Sequence, residues 1–211
     1  MGLDTPPKTT KGHWLSAGMA LLVARGPDSI SVEQLCQQVG LTKGSFYHHF
    51  KDHPQFVDEL VADWQQQNLH QPINESTNGS GQARLSTLTA LSAALDPEQE
   101  IAVRRLASRN DKVRAVLALV DEARMDYLAT LYREAGLKPR QAADAAKIQY
   151  AGFVGAQSLW PHEFGAQVQK LGKIVDKLLM ARNNSASADN CTSTNDVKGG
   201  SHTASAGSGR Y

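Results

Sequence analysis

The sequence predicts an all-α protein: an N-terminal three-helix helix-turn-helix domain followed by a larger C-terminal helical bundle, about nine helices in all. Three observations predict it. Apolar residues recur at three- and four-residue spacing from Lys11 to Arg182. No sustained alternating run rich in β-branched residues interrupts them. The breaks fall at Gly26-Pro27, Asp96-Pro97, Asn110-Asp111, Gly136 to Pro139 and Trp160-Pro161, the residue types that end one helix and start the next. There is no internal repeat.

Residues 1–10, with Pro6 and Pro7, read as a flexible arm. Trp14, Leu15, Gly18, Met19, Leu22 and Val23 then give a helix over Lys11 to Ala24, stopped by Gly26-Pro27. Ser31 is a good N-cap for a second helix, and Gln34 three residues on completes a capping box. Leu35, Cys36 and Val39 form its buried stripe, and Gly40 falls where a left-handed C-terminal cap is needed. Thr42 caps a third helix, Lys43 to about His49. Pro54 suits the first turn of a fourth, whose apolar face is Phe56, Val57, Leu60, Val61 and Trp64. The composition changes after Gln67, and His70 to Gly81 has loop chemistry. The expected domains are therefore 11–67 and 68–182. The second contains helices over Arg84 to Leu95, Pro97 to Ser108, Asp111 to Ala135, Pro139 to Trp160 and Phe164 to Arg182. Residues 183–211 are Ser-, Asn-, Thr-, Gly- and Ala-rich, too poor in large apolar groups to offset ordering entropy, and read as a disordered tail.

With 211 residues, 41% of them hydrophobic, the chain can bury a real core, and its net charge of +1 names no partner. Cys36 lies in an amphipathic helix and Cys191 in the polar tail, which reads as a reduced chain without a structural disulfide. Neither a signal peptide nor a membrane span is legible, so a cytoplasmic location without membrane partner is expected. A nucleophile elbow, a phosphate loop, zinc-ligand spacing and a dinucleotide fingerprint are all missing from the sequence, which argues against an enzyme and against a cofactor.

The chemistry concentrates in SVEQLCQQVGLTKGSFYHHF, Ser31 to Phe50. A helix-turn-helix needs a small residue where the second helix crosses the first, and Cys36 sits there. It needs a residue that accepts positive φ in the turn, and Gly40 supplies it. Leu35, Val39, Leu41 and Phe46 face inward, leaving Thr42, Lys43, Gly44, Ser45, Tyr47 and His48 to face out. Such a helix can enter a major groove with its N-terminal residues toward base edges. Lysine offers a point charge to phosphate or a guanine acceptor, the hydroxyls hydrogen-bond phosphates or bases, and Gly44 permits close backbone approach. His49 and His53 have the spacing of helical metal ligands, but a helix break is expected between them and no third donor completes a set; no metal site is expected. Cys36, without a basic neighbour in the sequence, reads as an inert small hydrophobe.

The run SISVEQLCQQVGLTKGSFYHHFKDHPQFVDEL, with the helix before it, resembles the DNA-binding region of TetR-family transcriptional regulators. Gly40, Thr42, Lys43-Gly44, Phe46-Tyr47, His49-Phe50 and Phe56 carry the resemblance, which covers roughly residues 11–65. It implies a bacterial homodimer, a repressor that occupies a palindromic double-stranded operator and is released by a small-molecule effector bound among the C-terminal helices. It also implies DNA contacts from Lys51 and from position 53. There the family usually carries a phosphate-binding lysine and this chain has His53, which predicts weaker or more pH-sensitive anchoring. From Met1 to Gln55 five basic residues face four acidic ones, so binding is expected to rest on a few placed groups rather than bulk charge. In the family context, the small residues Ala151, Gly152, Gly155 and Ala156 and the stripe Val168, Leu171, Ile174, Val175, Leu178 and Leu179 are expected to form a four-helix dimer interface. Trp64, Met125, Tyr127, Tyr132, Tyr150, Phe153 and Trp160 are candidates to line an effector pocket, with Arg104, Arg105 and Arg124 to select an anion; the residues alone assign no ligand contact.

Overall fold

The computed structural model describes residues 10–192, with side chains through Leu178. Helix α1 (Lys11–Arg25) ends where Gly26, at φ 82°, turns its N–H back to the Leu22 carbonyl. A 3-10 turn (Pro27–Ser29) follows, and Ser29 Oγ locks it by donating to the Leu21 and Gly26 carbonyls, at 2.8 and 2.7 Å. Helices α2 (Val32–Val39) and α3 (Lys43–His49) start on their expected caps, with Ser31 and Thr42 accepting from the N–H groups of Gln34 and Ser45. The capping box is only half made. Gln34 Oε1 is buried without a hydrogen-bond partner instead of returning to the Ser31 N–H. Gly40 adopts φ 74°, ψ 27°, the left-handed cap that lets α3 leave at an angle to α2.

Helix α4 (His53–Gln65), capped by Asp52, runs through a π-helical turn (Gln66–His70) into α5 (Gln71–Glu75). The loop expected from His70 is thus helical as far as Glu75. Pro72 has no N–H to return to the Asn68 carbonyl four residues back, which accepts instead from Arg124 Nη2 at 3.1 Å. A tertiary donor thereby carries the rod past its proline. Beyond it come α6 (Gly81–Ala93), α7 (Pro97–Ala107), α8 (Asp111–Glu134), α9 (Pro139–Leu159), a 3-10 turn (Pro161–Glu163) and α10 (Phe164–Thr192). With α4 and α5 as one rod the described residues hold nine helices and no strand. Helix α10 continues ten residues past Arg182, so residues 183–192, expected to be part of a disordered tail, are helical. Residues 193–211 of that tail and 1–9 of the arm lie outside the described residues.

Two cores form. In the first, Trp14, Leu35, Phe46, Phe50, Phe56 and Leu60 from α1–α4 pack with Ala102, Val103 and Leu106 of α7 and with Val113, Leu117 and Val120 of α8. The packing therefore crosses the boundary expected at Gln67. Gly18 allows α4 to lie close against α1: a Cβ there would sit 2.5 Å from the Phe56 ring. The second core joins α6, the C-terminal half of α8, α9 and α10 through Leu85, Leu131, Tyr132, Ala145, Phe153 and Phe164. Among the described residues no helix is long and apolar enough to cross a membrane.

Candidate nucleic-acid interface

Helix α3 is seated by one side chain. Phe46 is fully buried, with its ring 5.5 Å from Trp14, 5.1 Å from Phe50 and 5.7 Å from Phe56. That anchor turns the opposite face outward. Thr42, Lys43, Gly44, Tyr47, His48 and Lys51 are exposed, and Ser45, expected to face out, is half-buried. Tyr47 leans edge-on against Phe46 yet keeps 54% of its surface exposed, a large apolar body with a hydroxyl at its tip. Gly44 is not required by the fold, since a Cβ there would meet only Thr42 Oγ1, at 3.7 Å. A glycine costs about 1 kcal/mol in a helix interior relative to alanine, so the open space it leaves is available to whatever docks on this face.

Two expected contacts are modified by their neighbours. Lys43 Nζ is paired with Glu33 on α2; both side chains are more than half exposed, at 58% and 59%. That hydrogen bond holds the Glu33 carboxyl below and the Lys43 ammonium above their usual values. His53 is half-buried, and its Nε2 donates to the Ile30 carbonyl at 2.7 Å. It therefore ties the start of α4 to the segment before α2 rather than standing free as the family's lysine would. Cys36 is half-buried, and burial pushes its thiol up.

Residues 15–60 match the tetR family of bacterial regulatory proteins. Over these residues the chain is similar to that family. The HTH-type transcriptional repressor KstR2 of Mycolicibacterium smegmatis is 32% identical over 66 residues, 30% of this chain and 32% of its own length, so the chain spans about a third of that relative. A solved structure described as a transcriptional regulator of Pseudomonas aeruginosa superposes with TM-score 0.67 at 18% identity, over 86% of this chain and 96% of its own. A TetR-like regulator from a Rhodococcus species gives 0.62 at 11%, over 85% and 97%. At such identities these two show a shared fold beyond the tetR-type region, and only the fold.

Behind the tetR-type region a cavity of about 60 Å³ lies between the π turn and α5 on one side and α6, α8, α9 and α10 on the others. Its walls are mostly aliphatic, with Tyr127, Tyr150 and Phe153 of the expected aromatics. Trp64, Tyr132, Met125 and Trp160 do not line it; the first two are buried in the cores. Of the three arginines only Arg124 lines it, and its charge is already matched: Nη1 and Nη2 donate to Glu100 at 2.9 and 3.1 Å. Glu100 is 2% exposed and also accepts from Arg104, which pairs with Asp121. Burial works against both guanidinium charges, but the carboxylates outweigh it and hold them above their usual value. Tyr150 Oη joins the cluster, donating to Asp121 at 2.6 Å, and burial pushes its phenol up to about 12. No motif announced this network, because its members are spread from position 100 to 150.

The expected dimer residues divide. Ala156 is fully buried in the second core, Gly152 receives Leu171 of the same chain, and Leu171 lines the cavity. Val175 is half-buried against that core. These positions lie on the side of α9 or α10 that meets the chain's own helices. Gly155 faces open space, while Ile174 and Leu178 are exposed together with Ile148 and Leu159, which the sequence reading did not assign, and with Trp160, which it offered for the pocket.

Proposed function

We propose that this chain is a homodimeric, sequence-specific regulator of bacterial transcription, a repressor that leaves its palindromic operator when a small-molecule effector enters the helical cavity. The carrying observation is α3: a recognition helix seated by Phe46 and presenting Thr42, Lys43, Gly44, Ser45, Tyr47 and His48 on one open face, with Lys51 just beyond. Two copies would place these helices in successive major grooves, about 34–36 Å apart. His53 then acts through the Ile30 carbonyl, positioning α4 beneath the reading head. The second copy would cover the apolar face formed by Ile148, Gly155, Leu159, Ile174 and Leu178. The protein would work in the cytoplasm, at the nucleoid when bound, without enzymatic activity or cofactor.

The cavity supports release by an effector. Binding pockets for drug-sized ligands run to about 300–1,000 Å³, several times the space here, so an occupant must spread the walls. One wall is the π turn and α5, continuous with α4 and thus with the end of α3. An effector that favours the spread form over the DNA-bound spacing would shift the equilibrium by its difference in affinity. A helical ligand-binding or interaction protein that has lost sequence-specific binding is the second reading, favoured by the pairing of Lys43 with Glu33 and the weak basic charge of residues 1–55.

Selection from random duplex DNA at two salt concentrations separates the two. Wild type is expected to enrich a palindrome, and Tyr47→Ala to weaken its binding at least tenfold, because a stacked hydroxyl-bearing contact is lost in both half-sites. Failure of wild type to enrich any sequence at low salt would leave the second reading in place.

A further inference from the structure

The cavity contains information about its occupant. Its one charged lining group, Arg124, has spent its charge on Glu100, and the surrounding cluster of Arg104, Arg124, Glu100 and Asp121 sums to zero. Arg124 is further committed to the Asn68 carbonyl and lies over the Trp64 and Phe153 rings. An anionic ligand would have to take this guanidinium from a buried carboxylate, leaving Glu100 short of a partner in a site 2% exposed.

Another part of the cavity wall differs. Gln149 meets the Tyr132 hydroxyl through Oε1, and its Nε2 donates to Thr89 Oγ1 at 3.2 Å. This leaves the second Nε2–H and the Thr89 O–H as two neighbouring donors on the cavity wall. Behind them, Tyr132 Oη lies 3.0 Å from Asp176 Oδ1 on α10. Burial raises the Asp176 carboxyl above its usual value, as expected of a poorly hydrated place. A second carboxylate close to this one would be repelled; a neutral oxygen would accept both donors.

We infer that the cavity takes an uncharged, predominantly apolar ligand that presents a carbonyl or hydroxyl oxygen to Gln149 and Thr89, and that it discriminates against carboxylates and phosphates. The inference rests on the cavity being the effector site. The aliphatic walls, Leu69, Ile73, Leu88, Leu128 and Val168, supply the affinity by burial, and the two donors set the orientation.

The test compares 1-hexanol with hexanoate at pH 8, where the acid is ionised, by NMR titration of the full chain. Hexanol is expected to bind at least tenfold more tightly. Gln149→Leu should weaken hexanol about fivefold, the worth of a neutral hydrogen bond. Ser92→Phe, which fills the cavity from α6, should abolish binding of both. Equal or tighter binding of hexanoate would overturn the ligand class and leave the cavity as the effector site. If neither probe binds, or if hexanol binds Ser92→Phe as it binds wild type, the cavity is not the ligand site, and the effector reading fails with the inference.

Discussion

The two cores of this protein solve opposite problems. In the N-terminal region the interior is aromatic, with Trp14, Phe46, Phe50 and Phe56 in mutual edge and tilted contact, and the polar groups proposed to meet DNA lie outside on α3. In the C-terminal region Glu100, Arg124 and Tyr150 are buried beside a cavity, with Arg104 and Asp121 half-buried next to them, and the outside of α9 and α10 is partly apolar. A reading head must hold its shape while a partner docks on it, and dense aromatic packing provides that. A site that encloses a ligand must keep polar groups and space inside, and both cost stability. Well-packed hydrophobic residues would often stabilise such an interior as well or better, so the buried ion cluster is better explained by the cavity it borders than by stability.

The comparison breaks most readily at Glu100. Replacing it by alanine strands Arg124 and removes one partner of Arg104, in a site nine-tenths shielded from water on the Arg124 side. Removing one member of a buried ion pair typically costs about 3–5 kcal/mol. Glu100→Ala should therefore lower the urea midpoint more than any single change on the α3 surface. A loss below about 1 kcal/mol would mean that water reaches the cluster, and that the two interiors differ less than argued.

Gly18→Ala probes the other core and should cost less, about 1–3 kcal/mol, because the added methyl would lie 2.5 Å from a fully buried ring that has little room to turn. The same denaturation measurement checks it. An unchanged midpoint would show that α1 and α4 can part without loss, contrary to the rigid packing inferred for the reading head.

The same division decides what was legible in the sequence. Ser31, Gly40, Thr42 and Gly26 act on neighbours within a few residues, through a cap or a φ value, and the elements they bound appear as expected. Phe46 fixed the outward face of α3 by elimination. Partners far apart along the chain were not legible. The Asn68 carbonyl in the π turn accepts from Arg124, 56 residues beyond it, and the Arg104–Tyr150 contact spans 46. His53 looked like a displaced phosphate contact because its partner, the Ile30 carbonyl 23 residues earlier, is a backbone group with no sequence signature. Small residues on α9 were legible as close contacts, but which helix they contact depends on how the helices are rotated. Ala156 shows this, placed by sequence at a subunit interface and by the structure in the chain's own core.

The smallest expected effect tests the exposed side of the comparison. Lys43 can serve a phosphate or a base only when it turns away from Glu33, and a carboxylate left beside it faces the DNA. In Glu33→Gln the lysine has no ionic competitor. Because the pair is exposed and screened, its removal should raise operator affinity only about two- to fivefold at low salt. It should also steepen the fall of log K with log salt by up to about one phosphate's worth of counterions. Stability should not change measurably, since α2 keeps its Ser31 cap and its Leu35 anchor. Measuring the dissociation constant across a salt series separates this from a general gain in affinity, which would raise binding without altering the slope. Equal affinity and slope in wild type and Glu33→Gln would mean that Lys43 stays out of the DNA contact, leaving Tyr47, His48 and Lys51 as the groups on which recognition turns.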